Sequence, residues 1–376
     1  MSQSQGIAIL GAGIFAKEAH LPALAALGDS APLLKAVYSR SEKSSKDLAD
    51  AAVATLGLQN TPAIYHDGDS ASNLDVLLGR ADIVAVIVVL PITTQPAIIL
   101  KALAAGKHVL SEKPVAADVR SGIELIDRYN KEFKPKGRVW RVAENYEAEQ
   151  GIQNAAKILR SGKIGNIRFF KATVLNYVGQ DSKWYKTPWR TVPDYQGGFL
   201  LDGGVHTIAA LRVMLPRPLT KLTAIASLNQ EYLKPHDTIH AIAQGGDDFH
   251  GIVEMTFALP TKTSPPRDGF VITGSKGWIS VNVVYPENES AFVRILTTTS
   301  TVEKEGEPPK EKQETLEVPS NGVGAELASF FGFIQGKDDK SGFGDPLGAL
   351  ADVAFIQASL NSGGSIVDLE RLVREG

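Results

Sequence analysis

Apolar residues fall along this chain in two rhythms. From Gly6 to Ala143, short apolar runs alternate with stretches of helical period. The runs Gly6–Leu10, Leu34–Tyr38, Ala63–Tyr65, Ile83–Leu90, Lys107–Leu110 and Arg138–Ala143 have strand length. Ile83–Leu90 is almost all Val and Ile, as in strands buried on both faces of a parallel sheet. Between the runs, Phe15–Leu27, Ser44–Leu58, Ser72–Leu78, Thr94–Ala105 and Asp118–Asn130 read as helices. The alternation predicts an α/β domain with a parallel, doubly wound sheet over residues 1–145.

After Ala143 the rhythm changes. Glu147–Leu159 reads as one helix, stopped by Ser161–Gly165. Runs of period two follow: Ile167–Val178, Leu219–Leu228, Thr238–Ala243, Phe249–Leu259, Phe270–Thr273, Trp278–Val284 and Ala291–Thr297. Helices return at Gly324–Gln335 and Leu347–Ser362. This predicts an α+β domain over 146–376, with a large, mostly antiparallel open sheet covered on one face. Val302–Pro319, dense in Glu, Lys and Pro, reads as an exposed hairpin or loop without a catalytic role.

Composition narrows the function. The 376 residues are 43% hydrophobic and 22% charged, with a net charge of −3. That balance gives no reason to expect nucleic acid or an anionic membrane as partner. The run Ile83–Pro91 is too short to span a bilayer, and Met1–Gln5 shows no secretory or transit pattern. The absence of cysteine excludes disulfides, thiol catalysis and Cys-ligated zinc. The reading is a cytoplasmic protein.

Candidate chemistry begins at the first strand end. Gly11-Ala12-Gly13-Ile14-Phe15-Ala16 is the G-x-G-x-x-A form of a dinucleotide fingerprint. Gly11 permits the turn, Gly13 lets a pyrophosphate approach, Ala16 lets the helix pack on the strand, and the helix N-terminus offers N–H groups to phosphate. A chance glycine turn is the alternative. The second strand ends in Ser39-Arg40-Ser41, with no acid to grip a ribose 2′-hydroxyl. A hydroxyl beside a guanidinium suits a 2′-phosphate, so NADP(H) is preferred over NAD(H). The alternative leaves Arg40 solvated and gives the ribose to Glu42.

The fifth strand ends in Ser111-Glu112-Lys113-Pro114, which projects Lys113 from the carboxyl edge of the sheet, into the cofactor site beside the expected nicotinamide, where it can stabilise developing negative charge on a substrate oxygen; the alternative is a surface lysine in a turn. In Gly197–His206, Asp202 and His206 are four apart and share one helix face. Gly203 and Gly204 are costly in a helix, which suggests close approach of cofactor and substrate to its backbone. The plainer alternative makes Asp202 a helix cap and His206 a packed histidine. A third makes both zinc ligands, but no third ligand is evident, so no metal is assigned. Upstream, Trp184–Arg190 and Pro193–Tyr195 suit a loop over a substrate pocket, with Trp189, Arg190 and Tyr195 as its walls; the alternatives are a hydrophobic patch under a long connection or a subunit contact.

Together these pieces resemble the glucose–fructose oxidoreductase, inositol dehydrogenase and rhizopine-catabolism (Gfo/Idh/MocA) family. The resemblance rests on Gly11–Ala16, Ala104–Pro114, Leu159–Gly165, Gly197–His206 and Ile272–Gly277, nearly end to end. It implies a Rossmann domain, a bound nicotinamide nucleotide and an open β-sheet used to form a homodimer or higher homo-oligomer. It implies that Lys113, Asp202 and His206 form the catalytic constellation, that Leu90, Pro91 and Glu112 line the nucleotide, and that Asn145 and Tyr146 lie where relatives contact nicotinamide or substrate. Two positions depart from the family pattern: Ala209 stands where many relatives have Asp, and Gln95 where a His is common. The expected activity is hydride transfer between nicotinamide C4 and a carbinol or carbonyl carbon of a small polar substrate: a sugar, polyol, dihydrodiol or small carbonyl compound. The competing class is a catalytically silent nucleotide sensor or scaffold on the same fold, for which Lys113 and His206 would have no use.

Overall fold

The computed structural model describes residues 5–263, 265, 269–285, 292–302, 308–337 and 341–376. The chain divides into two compact units.

The first unit holds six parallel strands: β1 (Gly6–Leu10), β2 (Leu33–Tyr38), β3 (Ala63–Tyr65), β4 (Ile83–Val88), β5 (His108–Glu112) and β6 (Trp140–Ala143), in the order β3-β2-β1-β4-β5-β6. All five residues of β1 are buried, as a central strand covered on both faces requires. The connections carry α1 (Leu21–Leu27), α2 (Glu42–Leu56), α3 (Leu74–Gly79), α4 (Gln95–Ala104) and α5 (Val119–Arg128). Caps set two of these starts: the Ser41 hydroxyl accepts from Ser44 N, and the Asn73 side chain from Val76 N.

One boundary is corrected. Residues 323–349 belong to the first unit, not to a second domain running unbroken from 146 to 376. The reason is apolar burial. Leu327, Phe330 and Phe331 of α10 (Gly322–Ile334) join Ile7, Ile9, Leu48 and Ile87 in one core. The strand–helix rhythm gives no sign that a late helix returns to the first core.

The second unit is built on a nine-stranded sheet. Its strands are β7 (Ile167–Leu175), β8 (Lys221–Ser227), β9 (Thr238–Gly245), β10 (Phe249–Thr256), β11 (Gly269–Gly274), β12 (Gly277–Val284), β13 (Val293–Val302), β14 (Lys310–Pro319) and β15 (Val367–Asp368). The order is β14-β13-β12-β11-β7-β10-β9-β8-β15, and only β7–β10 is parallel. On β9 and β10, Ile239, Ala241, Ala243, Val253 and Met255 are buried, while the alternating Ile242 and Ile252 are 57% and 49% exposed. The helices are α6 (Asn145–Ala148), α7 (Gln150–Arg160), α8 (Pro188–Thr191), α9 (Phe199–Met214), α11 (Pro346–Asn361) and α12 (Leu369–Glu375). α9 lies on β7 and β10, and α7 packs beside α9.

One further reading changes. The helix expected over Glu147–Leu159 is broken into α6 and α7 at Glu149, whose backbone leaves the helical region (ψ 118°). The stretch expected as an exposed hairpin or loop carries the second arm of a hairpin, β14, paired along its length with β13. β14 is a charged edge strand, Lys-Glu-Lys-Gln-Glu-Thr-Leu-Glu-Val-Pro, with only Val318 buried. Such an edge discourages pairing with another chain and carries little apolar signal. Residues 303–307, and Ala291 of the strand expected at Ala291–Thr297, lie outside the described residues. No helix among the described residues is long and apolar enough to cross a membrane.

Candidate active site

In the first unit the candidate residues gather at the carboxyl ends of the parallel strands, where open α/β sheets bind ligands. Gly11 N donates to Tyr38 O and Val89 N to Leu10 O, both at 2.8 Å, tying the β1 turn to its neighbours. Gly11 has φ +118°, and a Cβ there would lie 2.0 Å from Val89 O, so only glycine fits. Around Gly13 the opposite holds: a Cβ would meet nothing within 4 Å. That open space above a glycine turn is where a pyrophosphate fits. Ala16 is fully buried and opens a π-helical turn (Ala16–His20) that runs into α1.

Ser39 is half-buried and Arg40 exposed just beyond β2. The Ser41 hydroxyl caps α2, which leaves Ser39 and Arg40 as the strand-end pair. Leu90 and Pro91 are half-buried after β4. Gln95 opens α4, 1% exposed, with neither amide atom hydrogen-bonded among the described residues. At the end of β5, Lys113 is half-buried and joined to Pro114 by a cis peptide bond. Glu112 is buried, and its carboxylate lies 2.7 Å from Nε2 of His20, which is fully buried. His20 carries no motif of its own; the only cue was that a buried Glu112 needs a partner. Asn145 is half-buried after β6.

In the second unit, α9 carries Asp202 and His206 one turn apart. Gly197 and Gly198 precede it with φ +74° and +52°, and Gly198 is the N-cap. Gly203 and Gly204 have a packing role instead of the expected one. A Cβ at Gly203 would lie 2.8 Å from Phe257 Cζ, and at Gly204 3.0 Å from Met255 Sδ. These glycines let α9 sit close on the sheet, and this packing replaces close approach of cofactor and substrate as their reason.

Asp202 is buried and takes a hydrogen bond from Arg190 Nε at 2.7 Å. The Arg190 guanidinium also lies 3.9 Å over the Trp189 ring and 5.2 Å over Trp184. Trp189 packs against Tyr195 at 5.9 Å between centroids. Burial, with the Asp202 charge adding to it, holds the Tyr195 phenol well above its usual pKa. So Trp189, Arg190 and Tyr195 form one cluster with Asp202, and Arg190 directs its charge at that acid. The half-buried His206 imidazole stacks on Tyr146, 4.8 Å between centroids and 25° between planes. Ala209, further along α9, is fully buried. Among the described residues there is no cluster of His, Asp and Glu that could hold a metal ion.

A 3-2-1-4-5-6 parallel sheet with an open glycine turn after β1, followed by a large open-sheet unit, defines the class: a nucleotide-dependent oxidoreductase of the two-part kind. The chain belongs to the GFO/IDH/MocA family. Residues 5–135 match its oxidoreductase domain with NAD-binding Rossmann fold, and residues 152–280 match a GFO/IDH/MocA C-terminal domain. The chain is 38% identical to dehydrogenase FPY6 of Fusarium mangiferae over 365 residues, 95% of this chain and 96% of that one. It is 27% identical over 309 residues to dTDP-3,4-didehydro-2,6-dideoxy-α-D-glucose 3-reductase of Streptomyces violaceoruber, 79% of each chain. An oxidoreductase structure from Thermotoga maritima matches with a TM-score of 0.79 at 28% identity, over 98% of this chain and 99% of that one. The protein is thus an NAD(P)-binding oxidoreductase acting as a dehydrogenase or reductase.

Proposed function

We propose that the protein is an NADP(H)-dependent enzyme that interconverts a carbinol and a carbonyl group on a small polar substrate of the sugar or polyol kind. The observation that carries this reading is the Asp202–His206 pair on α9, with His206 half-buried and Asp202 held by Arg190. A purely structural histidine has no need of so constrained an acid one turn away. The reductase named for the Streptomyces relative supports a sugar-like carbonyl substrate.

Each residue has a distinct task. The Gly11–Ala16 turn receives the pyrophosphate and Ser39 with Arg40 the 2′-phosphate, through charge-assisted hydrogen bonds. Leu90, Pro91, Glu112 and Asn145 complete the nucleotide site. The bound nucleotide supplies hydride transfer at nicotinamide C4. In the oxidative direction His206 takes the hydroxyl proton, and in the reductive direction it returns one to the nascent alkoxide. Asp202 stabilises the imidazolium formed in the oxidative direction. The Lys113 ammonium donates a hydrogen bond to the same substrate oxygen as negative charge builds on it. Tyr146, Trp189, Arg190 and Tyr195 bound the substrate.

The proposal extends to location and assembly. A cytoplasmic location is proposed, with which a chain without cysteine is compatible. The open sheet face, with Phe169, Ile225, Ile242 and Ile252 each about half exposed, supports a homo-oligomer formed there. No nucleic-acid or membrane partner is proposed. Fluorescence titration with NADPH and NADH tests the cofactor assignment: NADPH binds more tightly, and Arg40→Ala removes the difference. Tighter NADH binding by the wild-type protein would overturn it. A turnover screen over polyols and carbonyl compounds with the preferred nucleotide then identifies the substrate.

A further inference from the structure

Arg294 on β13 is 1% exposed, yet its Nε and Nη2 have no hydrogen-bond partner among the described residues. A guanidinium taken out of water with donors unbonded is costly, and an apolar side chain would fill the space more cheaply. Its surroundings are built to hold it. Glu149, fully buried, faces it with Oε2 3.7 Å from Nε. The other oxygen of Glu149 accepts from the Ser320 hydroxyl and, at 3.1 Å, from Gly322 N. Making room for the arm takes a glycine: a Cβ at Gly151 would lie 2.8 Å from Arg294 Cβ and Cδ. Glu149 is also the residue at which α6 and α7 separate.

Three locally unfavourable features therefore meet: a broken helix, a glycine in the first turn of α7 and a buried cation. What they serve is an aromatic ring. The guanidinium lies 4.5 Å over Tyr146, with Phe292 at 5.2 Å, and the Tyr146 ring stacks on the His206 imidazole at 4.8 Å. A desolvated cation over an aromatic face is held there by the ring quadrupole, which fixes the orientation of the ring.

We propose that Arg294 is a positioning residue: it clamps Tyr146, and Tyr146 in turn sets the plane of the His206 imidazole. The proposal rests on reading His206 as the acid–base group, but its test does not. The fold alone requires only that the space be filled; the clamp requires that a change at Arg294 be felt at His206.

The experiment uses the full-length protein labelled at histidine and tyrosine rings, with the His206 signals assigned from their loss in His206→Asn. The wild type shows Overhauser contacts between the Tyr146 and His206 rings and a ring-current shift of the imidazole protons. The variant Arg294→Met with Glu149→Gln removes the cation without stranding a carboxylate. It is expected to lose those contacts and that shift while keeping NADPH affinity. Gly151→Ala, which displaces the arm but keeps both charges, is expected to move the same His206 signals and decides the matter should the double variant not fold. Unchanged His206 signals in Gly151→Ala, or in the folded double variant, would overturn the clamp. Wild-type turnover in His206→Asn would instead overturn the acid–base reading and leave the clamp standing.

Discussion

Gly203→Ala separates two reasons for a glycine in the middle of α9. In an open helix the added methyl stabilises by about 1 kcal/mol. Here it would arrive 2.8 Å from Cζ and 3.0 Å from Cε1 of Phe257, well inside the separation of about 3.5–4.0 Å that carbon atoms prefer. Phe257 is buried, and its ring sits 6.1 Å from that of Phe199, so it has little room to retreat. Overpacking of this kind costs about 1–3 kcal/mol. Set against the helical gain, the net is a loss of about 1 kcal/mol, or roughly 2–4 °C in Tm for a unit of this size. Gly204→Ala should cost less, because its nearest neighbour is the Met255 thioether, which shifts readily. The assay is thermal denaturation of each variant beside an NADPH titration. The packing account expects a lowered Tm and unchanged NADPH affinity for Gly203→Ala. A variant more stable by about 1 kcal/mol that binds NADPH at least about tenfold more weakly (about 1.4 kcal/mol) would refute it and restore the cofactor as the reason for the glycine.

Arg212, near the end of α9, ties that helix to α6 and α11: it bonds Asp352 at 2.9 and 2.7 Å and also reaches Glu147, and both acids are buried. Arg212→Met takes the cation from two buried carboxylates and is expected to destabilise the protein by about 3–5 kcal/mol in urea denaturation; a loss under about 1 kcal/mol would mean the network contributes little. His108 accepts a hydrogen bond from Val139 N on Nδ1 at 3.2 Å, and burial, with Arg138 nearby, lowers its pKa. A histidine held neutral in the fold contributes stability that is complete above its unfolded pKa of about 6.5 and is lost as pH falls through its lower folded value. The urea midpoint should therefore decline below about pH 6.5 more steeply for the wild type than for His108→Gln; identical slopes would remove His108 from the account.

The parallel half of the fold was legible because its strands are buried on both faces and write themselves as uninterrupted apolar runs. Ile83–Val88 is the clearest case, and the all-buried β1 came out at its bounds. β14 was legible only as hairpin or loop, since a charged edge strand differs little in composition from a loop. α10 was legible as a helix but not as a return to the first core, because amphipathic period says that a face is buried and not against what. The same limit applies at the site. Asp202 and His206 share a helix face by spacing alone, but the Arg190 that bonds Asp202 comes from α8, and nothing in the local sequence pairs the two. His20, Glu149 and Arg294 left no motif: each acts through contacts distant in sequence, and such pairings are not written in local sequence.

Under the proposed function Lys113 and His206 perform the chemistry and do not merely support the fold. This is tested most directly by measuring NADPH affinity and steady-state NADPH oxidation side by side in Lys113→Ala and His206→Ala, using a carbonyl substrate from the turnover screen. The expected result is wild-type NADPH affinity with turnover reduced about 100-fold or more in each variant. Turnover at the wild-type rate in either one, with NADPH still bound, would contradict it.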